Sequence, residues 1–324
     1  MIGKSKTGKD ECCMVEAQLP TNDGFRCGFV SLVGKPNVGK STLMNRLLEH
    51  KIAITSPRPQ TTRNRVCGVL TRQDYQLVFI DTPGIHEAKR ALNRYMVEVA
   101  REAVFDTDVV ALLVDVANPA ENLPGKCDVL DGLLDTLKSL TRPVVLVLNK
   151  IDLIDKHALL PMIEQWSAVL GFAEIVPLCA RGGDGVAGFE QTLSRQLPEG
   201  PQLYPEDMLT DVPERFIAAE LVREAAFRLL NQELPYAIGV RIDEWSDRAS
   251  MGRVDIRASV VVERDSQKGI VIGRGGQMLK RIGTRARTEI GRLLNCDVNL
   301  RLFVKVESGW TRTVSQIREM GYKK

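Results

Sequence analysis

Nine residues, Gly34-Lys35-Pro36-Asn37-Val38-Gly39-Lys40-Ser41-Thr42, limit what this chain can become more than any other stretch, because they fit the pattern G-x-x-x-x-G-K-[ST]. An apolar run from Phe29 to Val33 leads into them, and Leu43, Leu47 and Leu48 recur behind them at helical spacing. The loop is therefore predicted to lie between a buried strand and an amphipathic helix, the context in which this pattern cradles phosphate. Glycines let the backbone curl until successive N–H groups face phosphate oxygens, and the helix N-terminus adds the positive end of its dipole. Lys40 is expected to meet the β- and γ-phosphates, and the Ser41 hydroxyl to ligate a magnesium ion.

Further signals follow in order. Ile52 to Pro59 has two prolines and no period and reads as a loop, followed by the hydroxyl-rich Gln60-Thr61-Thr62-Arg63-Asn64 and a strand-like run, Val66 to Leu70. A nucleotide switch needs a hydroxyl that reaches magnesium when a γ-phosphate is present. Thr62 is assigned that role, with Thr61 the alternative. Leu77 to Ile80 is a fully apolar strand ending in Asp81-Thr82-Pro83-Gly84-Ile85. A carboxylate at such a strand tip holds magnesium through water, and the Gly84 N–H is placed for a γ-phosphate.

Helical periodicity from Arg90 to Val104 leads to a buried strand, Val109 to Val116. After a helix over Asp128 to Ser139, the run Val144 to Leu148 ends in Asn149-Lys150-Ile151-Asp152. A carboxylate at Asp152 can accept from both the N1–H and the 2-amino group of guanine, which adenine cannot reproduce, while Asn149 and the Lys150 stem flank the base. The strand Ile175 to Leu178 runs into Cys179-Ala180-Arg181, where the Ala180 N–H is expected to meet the guanine carbonyl oxygen, and a helix over Val186 to Leu197 closes this half. Alternating strands and helices predict an α/β domain with a mostly parallel, doubly wound sheet.

Pro198 to Pro213 is rich in proline and acid and reads as an interdomain linker. Beyond it the order is helix, strand, strand, helix, helix, strand. The strands span Tyr236 to Trp245, Val254 to Glu263 and Val298 to Val306, and a tight glycine turn within Gly269 to Gly276 precedes a basic helix, Gln277 to Leu294. Gly273-Arg274-Gly275-Gly276 is the G-x-x-G turn of a KH module, which clamps the backbone of single-stranded nucleotides. Ile270 and Ile272 would line the groove for bases, and Arg274, Lys280, Arg281, Arg285 and Arg287 would supply charge. From Arg215 onward the chain carries 21 Lys and Arg against 13 Asp and Glu, a net of +8, while the preceding part nets −5, so a polyanion partner belongs to the C-terminal third.

Composition excludes other classes. No apolar stretch approaches the eighteen or so residues that a membrane span needs. The seven cysteines, 12, 13, 27, 67, 127, 179 and 296, are scattered without a C-x-x-C pair, against both a disulfide framework and a zinc site. A reducing cytoplasm is the expected home. The three histidines and three tryptophans form no cluster and are read as packing or surface residues. Residues 1–25 are expected to be a disordered leader, 26–197 the nucleotide domain, 198–213 the linker and 214–324 the KH domain.

With both halves placed, the chain resembles the Era family of bacterial GTPases from about Gly28 onward. The carriers are G-K-P-N-V-G-K-S-T (34 to 42), Q-T-T-R (60 to 63), D-T-P-G-I-H (81 to 86), N-K-I-D (149 to 152), Y-P-E-D (204 to 207) and V-I-G-R-G-G (271 to 276). Cys179 stands where GTPases usually have serine, and Glu87-Ala88 where the family commonly has a proline. The resemblance implies GTP and GDP as ligands, magnesium as cofactor, and a GTP-bound form that docks a type II KH domain on the 3′ end of 16S ribosomal RNA during 30S assembly. It also implies a monomer in the cytoplasm, with peripheral contact at the inner membrane. Ile85 replaces the glutamine that orients the attacking water in small GTPases, so hydrolysis should be slow unless the water is held otherwise. Lys40, Asn37, Thr62, Asp81 and Gly84 are the expected catalytic set, in which Asn37 would hold a potassium ion, as in GTPases of the wider group. Two other readings compete: an RNA-binding module with a merely structural nucleotide domain, and another GTPase of the group acting in tRNA modification or large-subunit assembly.

Overall fold

A computed structural model describes residues 24–85, 91–231, 234–248, 252–312 and 314–322. The leader, apart from its last two residues, lies outside them, as do His86, Glu87 and Ala88. The first half opens with β1 (Arg26–Val33), the phosphate loop and α1 (Lys40–Leu48). β2 (Val66–Thr71), β3 (Tyr75–Asp81), α2 (Ala91–Phe105), β4 (Val109–Asp115) and a short α3 (Pro119–Asn122) follow. Then come α4 (Asp128–Lys138), β5 (Val144–Asn149), α5 (Leu159–Ser167), β6 (Glu174–Leu178) and α6 (Val186–Gln196). The six strands form one sheet in the order β2-β3-β1-β4-β5-β6, parallel except for β2, which runs antiparallel to β3.

The apolar runs explain the sheet. β4 and β5 are buried along their whole length, as strands covered by helices on both faces must be. Chain order reverses beside β1, whose neighbours are β3 and β4, and a crevice opens at such a reversal outside the carboxyl ends of the strands. The motifs at 34–42, 81–85, 149–152 and 179–181 each begin at or just after such an end, and Gln60 to Asn64 precede antiparallel β2, whose Val66 pairs with Asp81.

The second half is α7 (Glu214–Leu229), β7 (Gly239–Arg248), β8 (Arg253–Val262), α8 (Asp265–Ile272), α9 (Gln277–Leu294), β9 (Asp297–Val306) and α10 (Val314–Glu319). β7 and β8 are antiparallel, β8 and β9 parallel, and α7 and α9 cover one face with Ile217, Leu221, Ala225, Ile282, Ala286 and Ile290. The first strand starts at Gly239 rather than Tyr236. Residues Leu234–Ala237 form a 3₁₀ turn instead, in which Pro235 has no N–H for a ladder and the Tyr236 carbonyl is taken by Arg63. The glycine turn is confined to Gly273–Gly276, because α8 extends to Ile272.

The linker is fastened to the first half. The amides of Cys27 and Gly200 bond to the carbonyls of Pro198 and Phe25, and the Val69 amide on edge strand β2 donates to Leu209 O at 2.8 Å. Gln76, buried near the start of β3, accepts the amides of Leu203 and Tyr204 on Oε1 and returns Nε2 to Tyr204 O, all at 2.9 Å. The passage without a period thus covers a sheet edge that would otherwise pair with other chains.

Candidate functional site

The phosphate loop leaves the end of β1 and enters α1 at Lys40. Gly39 carries φ +107°, and a Cβ there would fall 2.2 Å from Asn149 Nδ2. Only glycine fits that approach. Lys40 is buried, and its ammonium donates to the carbonyls of Gly34 at 3.1 Å and Lys35 at 2.9 Å, across the mouth of the loop. Burial lowers its pKa to about 8, partly opposed by Asp81. Val38 turns its side chain into the core. Pro36, Asn37, Gly39, Lys40, Ser41, Thr42, Thr61, Thr62 and Gly84 line one cleft.

Three oxygens meet beside Lys40. Ser41 Oγ donates to Asp81 Oδ2 at 2.6 Å, lies 2.9 Å from Thr62 Oγ1, and Thr62 Oγ1 reaches Asp81 Oδ2 at 3.3 Å. Asp81 is fully buried and its Oδ1 has no hydrogen-bond partner. Burial raises its pKa to about 6, against the pull of Lys40 and the two hydroxyls. A hard oxygen set around a carboxylate with an unused oxygen suits magnesium. Thr61, the alternative to Thr62, bonds the Arg58 carbonyl at 2.8 Å instead. Thr82 is tied to Leu32 O at 2.8 Å, and buried Ile85 packs with Ala100, Val104 and Leu112. The Ile85 side chain therefore belongs to the core, not to the cleft.

The neighbouring part of the cleft is lined by Asn37, Thr55, Pro57, Asn149, Lys150, Asp152, Cys179, Ala180 and Arg228. Asn149 is buried and binds three loops. Nδ2 donates to Val38 O at 2.6 Å, and Oδ1 accepts the amides of Lys150 at 2.8 Å and Ala180 at 3.0 Å. The Ala180 N–H, expected to face a guanine carbonyl, is held by that bond here. Lys150, at φ +72°, pairs with Asp115 Oδ2 at 2.6 Å, which fixes its stem over the cleft wall. Asp152 is exposed at the rim. Cys179 Sγ accepts the Gly182 amide at 3.1 Å, so the thiol takes a bond that a serine hydroxyl would otherwise accept.

Asn37 stands at φ +63° with Nδ2 on the Pro57 carbonyl at 2.9 Å, and it lines the cleft. Among the described residues no cluster of histidine, cysteine and carboxylate could hold a metal ion.

In the second half Gly273, Gly275 and Gly276 all have positive φ, at 72°, 60° and 77°. A Cβ on Gly273 would strike Met278 Cβ at 2.7 Å, whereas Gly275 and Gly276 have nothing within 4 Å. The turn presents bare backbone, flanked by exposed Arg274, Lys280, Arg281, Arg285 and Arg287. Ile270 is 55% exposed on α8 and Ile272 is half-buried.

Arg228, Lys51, Asp115 and Arg63 escaped sequence reasoning as site residues. Arg228 reaches from α7 to the Thr55 carbonyl at 2.9 Å, and Lys51 bridges Glu224 and Glu289, each at 2.7 Å. Apart from the bonds of Asp115, such as that with Lys150, and the bond from Arg228 to Glu224 on its own helix, their hydrogen-bond partners are 172 residues or more distant, so no local pattern marks them.

The fold and the cleft together define a P-loop GTPase domain joined to a KH domain. Residues 29–150 match the family model of the 50S ribosome-binding GTPase, and 233–311 that of the KH domain. GTPase Era of Geobacter metallireducens is 50% identical over 302 residues, 93% of this chain and 99% of that protein. GTPase Era of Staphylococcus haemolyticus is 47% identical over 297 residues, covering 92% and 97%. A crystal structure of Era in complex with MgGDPNP and nucleotides 1506–1542 of 16S ribosomal RNA superposes with a TM-score of 0.87 at 40% identity. It covers 93% of this chain and 100% of its own. An Aquifex aeolicus Era variant bound to GDP·AlF4− gives 0.87 at 39%, with the same coverage. The chain belongs to the Era family of GTPases.

Proposed function

We propose that this chain is a GTP-binding and GTP-hydrolysing switch that binds the 3′ region of 16S ribosomal RNA and assists assembly of the 30S subunit. The observation that carries the reading is the joined Ser41, Thr62 and Asp81 cluster, with an unused carboxylate oxygen, beside Lys40 in one cleft with Asn149 and Asp152. Residues 34–42, 81–84, 149, 150, 152, 179 and 180 form the nucleotide site in this reading, with Ile85 in the core behind it, within a domain spanning 26–197; 198–213 joins it to the KH domain at 214–324.

Ser41 and Thr62 offer hydroxyls and Asp81 a carboxylate that would hold magnesium, which when bound offsets phosphate charge. Lys40 leaves the Gly34 and Lys35 carbonyls to meet the β- and γ-phosphates, and Gly84 and the loop amides orient the terminal phosphate. Asp152 accepts from the guanine edge. Ile85 cannot orient water, so the hydrolytic help is assigned to Asn37, which would hold a potassium ion, and that ion would supply positive charge. The G-x-x-G turn, with Ile270, Ile272, Arg274, Lys280, Arg281 and Arg285, forms the RNA groove.

No helix among the described residues is long and apolar enough to cross a membrane. The reading is of a cytoplasmic monomer that touches the inner membrane at most peripherally.

Crosslinking the full chain to total RNA with a non-hydrolysable GTP analogue, then sequencing the fragments, tests it. Reads should concentrate at the 3′ end of 16S RNA and thin out with GDP. Uniform reads in both nucleotide states would overturn the proposal.

A further inference from the structure

The residue that follows Thr62 is anchored in the other domain. Arg63 is 1% exposed. Its Nη1 donates to Ile238 O at 2.7 Å and lies 3.4 Å from the Tyr322 hydroxyl, while Nη2 donates to Tyr236 O at 2.9 Å and Pro235 O at 3.5 Å. The rings of Phe227, Trp310 and Tyr322 lie 5.7 to 5.8 Å from its guanidinium carbon. On the other side of Thr62, the Thr61 carbonyl accepts from Arg223 of α7. Asn64 Nδ2 donates to Gly321 O at 3.1 Å. Of four consecutive residues, then, Thr61, Arg63 and Asn64 are gripped by the KH half, and Thr62 alone faces Ser41 and Asp81.

Chain length makes this grip consequential. One residue spans about 3.3–3.6 Å at most, so Thr62 cannot move far from Asp81 while Arg63 stays in its socket. The socket is also an unusual choice for mere cohesion. Among the described residues no carboxylate bonds Arg63, its Nε and the Nη1 of Arg223 find no acceptor, and Arg223 repels it although Glu220, paired with Arg223, partly offsets this. Burying a guanidinium among neutral acceptors is costly, and an apolar seam would hold two domains together at least as well. A charged socket does something that an apolar seam does not: it demands one orientation of the segment beside it.

We propose that Arg63 is a positioning residue that couples KH docking to the γ-phosphate response: the docked KH domain holds the Thr62 hydroxyl at the magnesium site, and release of Thr62 loosens the KH domain. The idea rests on the reading of Ser41, Thr62 and Asp81 as the magnesium and nucleotide site. Coupling of this kind is reciprocal, so the nucleotide state must change RNA affinity by the factor by which RNA changes nucleotide preference.

The test uses the full chain, wild type and Arg63→Gln, with fluorescent GDP, a fluorescent non-hydrolysable GTP analogue and a labelled oligoribonucleotide matching the 3′ end of 16S RNA. Thr62 matters only when a γ-phosphate is present. Arg63→Gln should therefore weaken the GTP analogue about 10-fold while GDP affinity changes less than about 2-fold, and RNA affinity should no longer differ between the two nucleotides. A folded Arg63→Gln that keeps the wild-type ratios, with only its melting temperature lowered, overturns the proposal. Hydrogen exchange on the wild type decides the matter even if the variant fails to fold. Segments 58–64 and 234–241 should gain protection together when the GTP analogue replaces GDP, and protection confined to the first overturns the coupling. A wild type that binds neither nucleotide would instead sink the reading of the site itself.

Discussion

Asn149 Nδ2 donates to the Val38 carbonyl at 2.6 Å, so the residue that the sequence assigns to the base also ties the phosphate loop to the β5 and β6 loops. Its Oδ1 completes the tie through Lys150 and Ala180. Asn149→Ala would leave the Val38 carbonyl and two amides without their partner, at about 1–3 kcal/mol for each buried group left unsatisfied. GTP and GDP affinity should fall together by about 10-fold or more, with a lower melting temperature, because both nucleotides share the loops. Titration with fluorescent GDP and GTP analogue checks this, and a loss confined to GTP would contradict it.

That double duty marks where sequence reasoning stops. The phosphate loop, the strand tips at Asp81 and Asn149, and α9 from Gln277 to Leu294 are legible because each is decided by residues close in sequence: apolar runs, glycines and helical spacing. α5 is not. Its Leu160 is 72% exposed and Trp166 is its one buried side chain, so the periodicity is faint. The strand expected from Tyr236 begins later because Arg63, more than 170 residues away, takes the carbonyls of Tyr236 and Ile238. The linker lacks a period because it meets β2 and Gln76 largely through its backbone, with Thr210 and Tyr204 as isolated side-chain contacts. α10 is short and owes its place to Ile317 packing with Trp310 and the α2 residues Tyr95 and Met96. In each case a tertiary partner outweighs local preference.

Asp81 and Lys40 predict a pH window. Burial raises Asp81 from 3.8 to about 6, so this carboxyl stabilises the fold fully below 3.8, and the contribution is lost as pH rises through about 6. Lys40 is lowered from 10.5 to about 8, so its contribution is present above 10.5 and lost as pH falls through about 8. Between about 6 and 8 both groups are charged, at a cost to the fold that a bound magnesium nucleotide offsets. Nucleotide should therefore raise the melting temperature most near pH 7, with affinity falling on both sides. Asp81→Asn should remove the acid limb and keep the alkaline one, which separates the protein's titration from that of the nucleotide.

Potassium is the next expectation. Ile85 is in the core, while Asn37, bonded through Nδ2 to the Pro57 carbonyl, lines the cleft together with Gln60. Turnover should be several-fold faster in potassium than in sodium buffer at equal ionic strength, and Asn37→Ala should abolish the difference without a comparable loss of GDP affinity. Equal rates in the two buffers would refute the assignment.

Cys179 tests whether a thiol weakens the guanine loop. Its Sγ already accepts the Gly182 amide at 3.1 Å, and Cys179 N donates to Asp184 O at 2.8 Å, so the loop is closed without a hydroxyl. Cys179→Ser should leave GDP affinity within about 3-fold, less than the roughly 1.4 kcal/mol of a tenfold change. A larger gain would show that the native loop is poorly held.

Gly275 separates RNA binding from folding. It has φ +60° with nothing within 4 Å of an added Cβ, so Gly275→Asp meets only the strain of a left-handed backbone, about 1–2 kcal/mol, with no clash. The new carboxylate stands on the turn that phosphates must approach, beside Arg274. RNA affinity should be lost while GTP affinity stays nearly intact, since the nucleotide cleft is lined by the other half with Arg228 of α7, none of it on the glycine turn. Loss of both would mean misfolding, and a melting curve distinguishes the two. The groove reading also fixes the salt response. Alanine at Lys280, Arg281 or Arg285 should each flatten the slope of log affinity against log salt by about 0.7 if that side chain neutralises a phosphate. A side chain whose removal leaves the slope unchanged lies outside the RNA track, so the three slopes map the groove on α9 residue by residue.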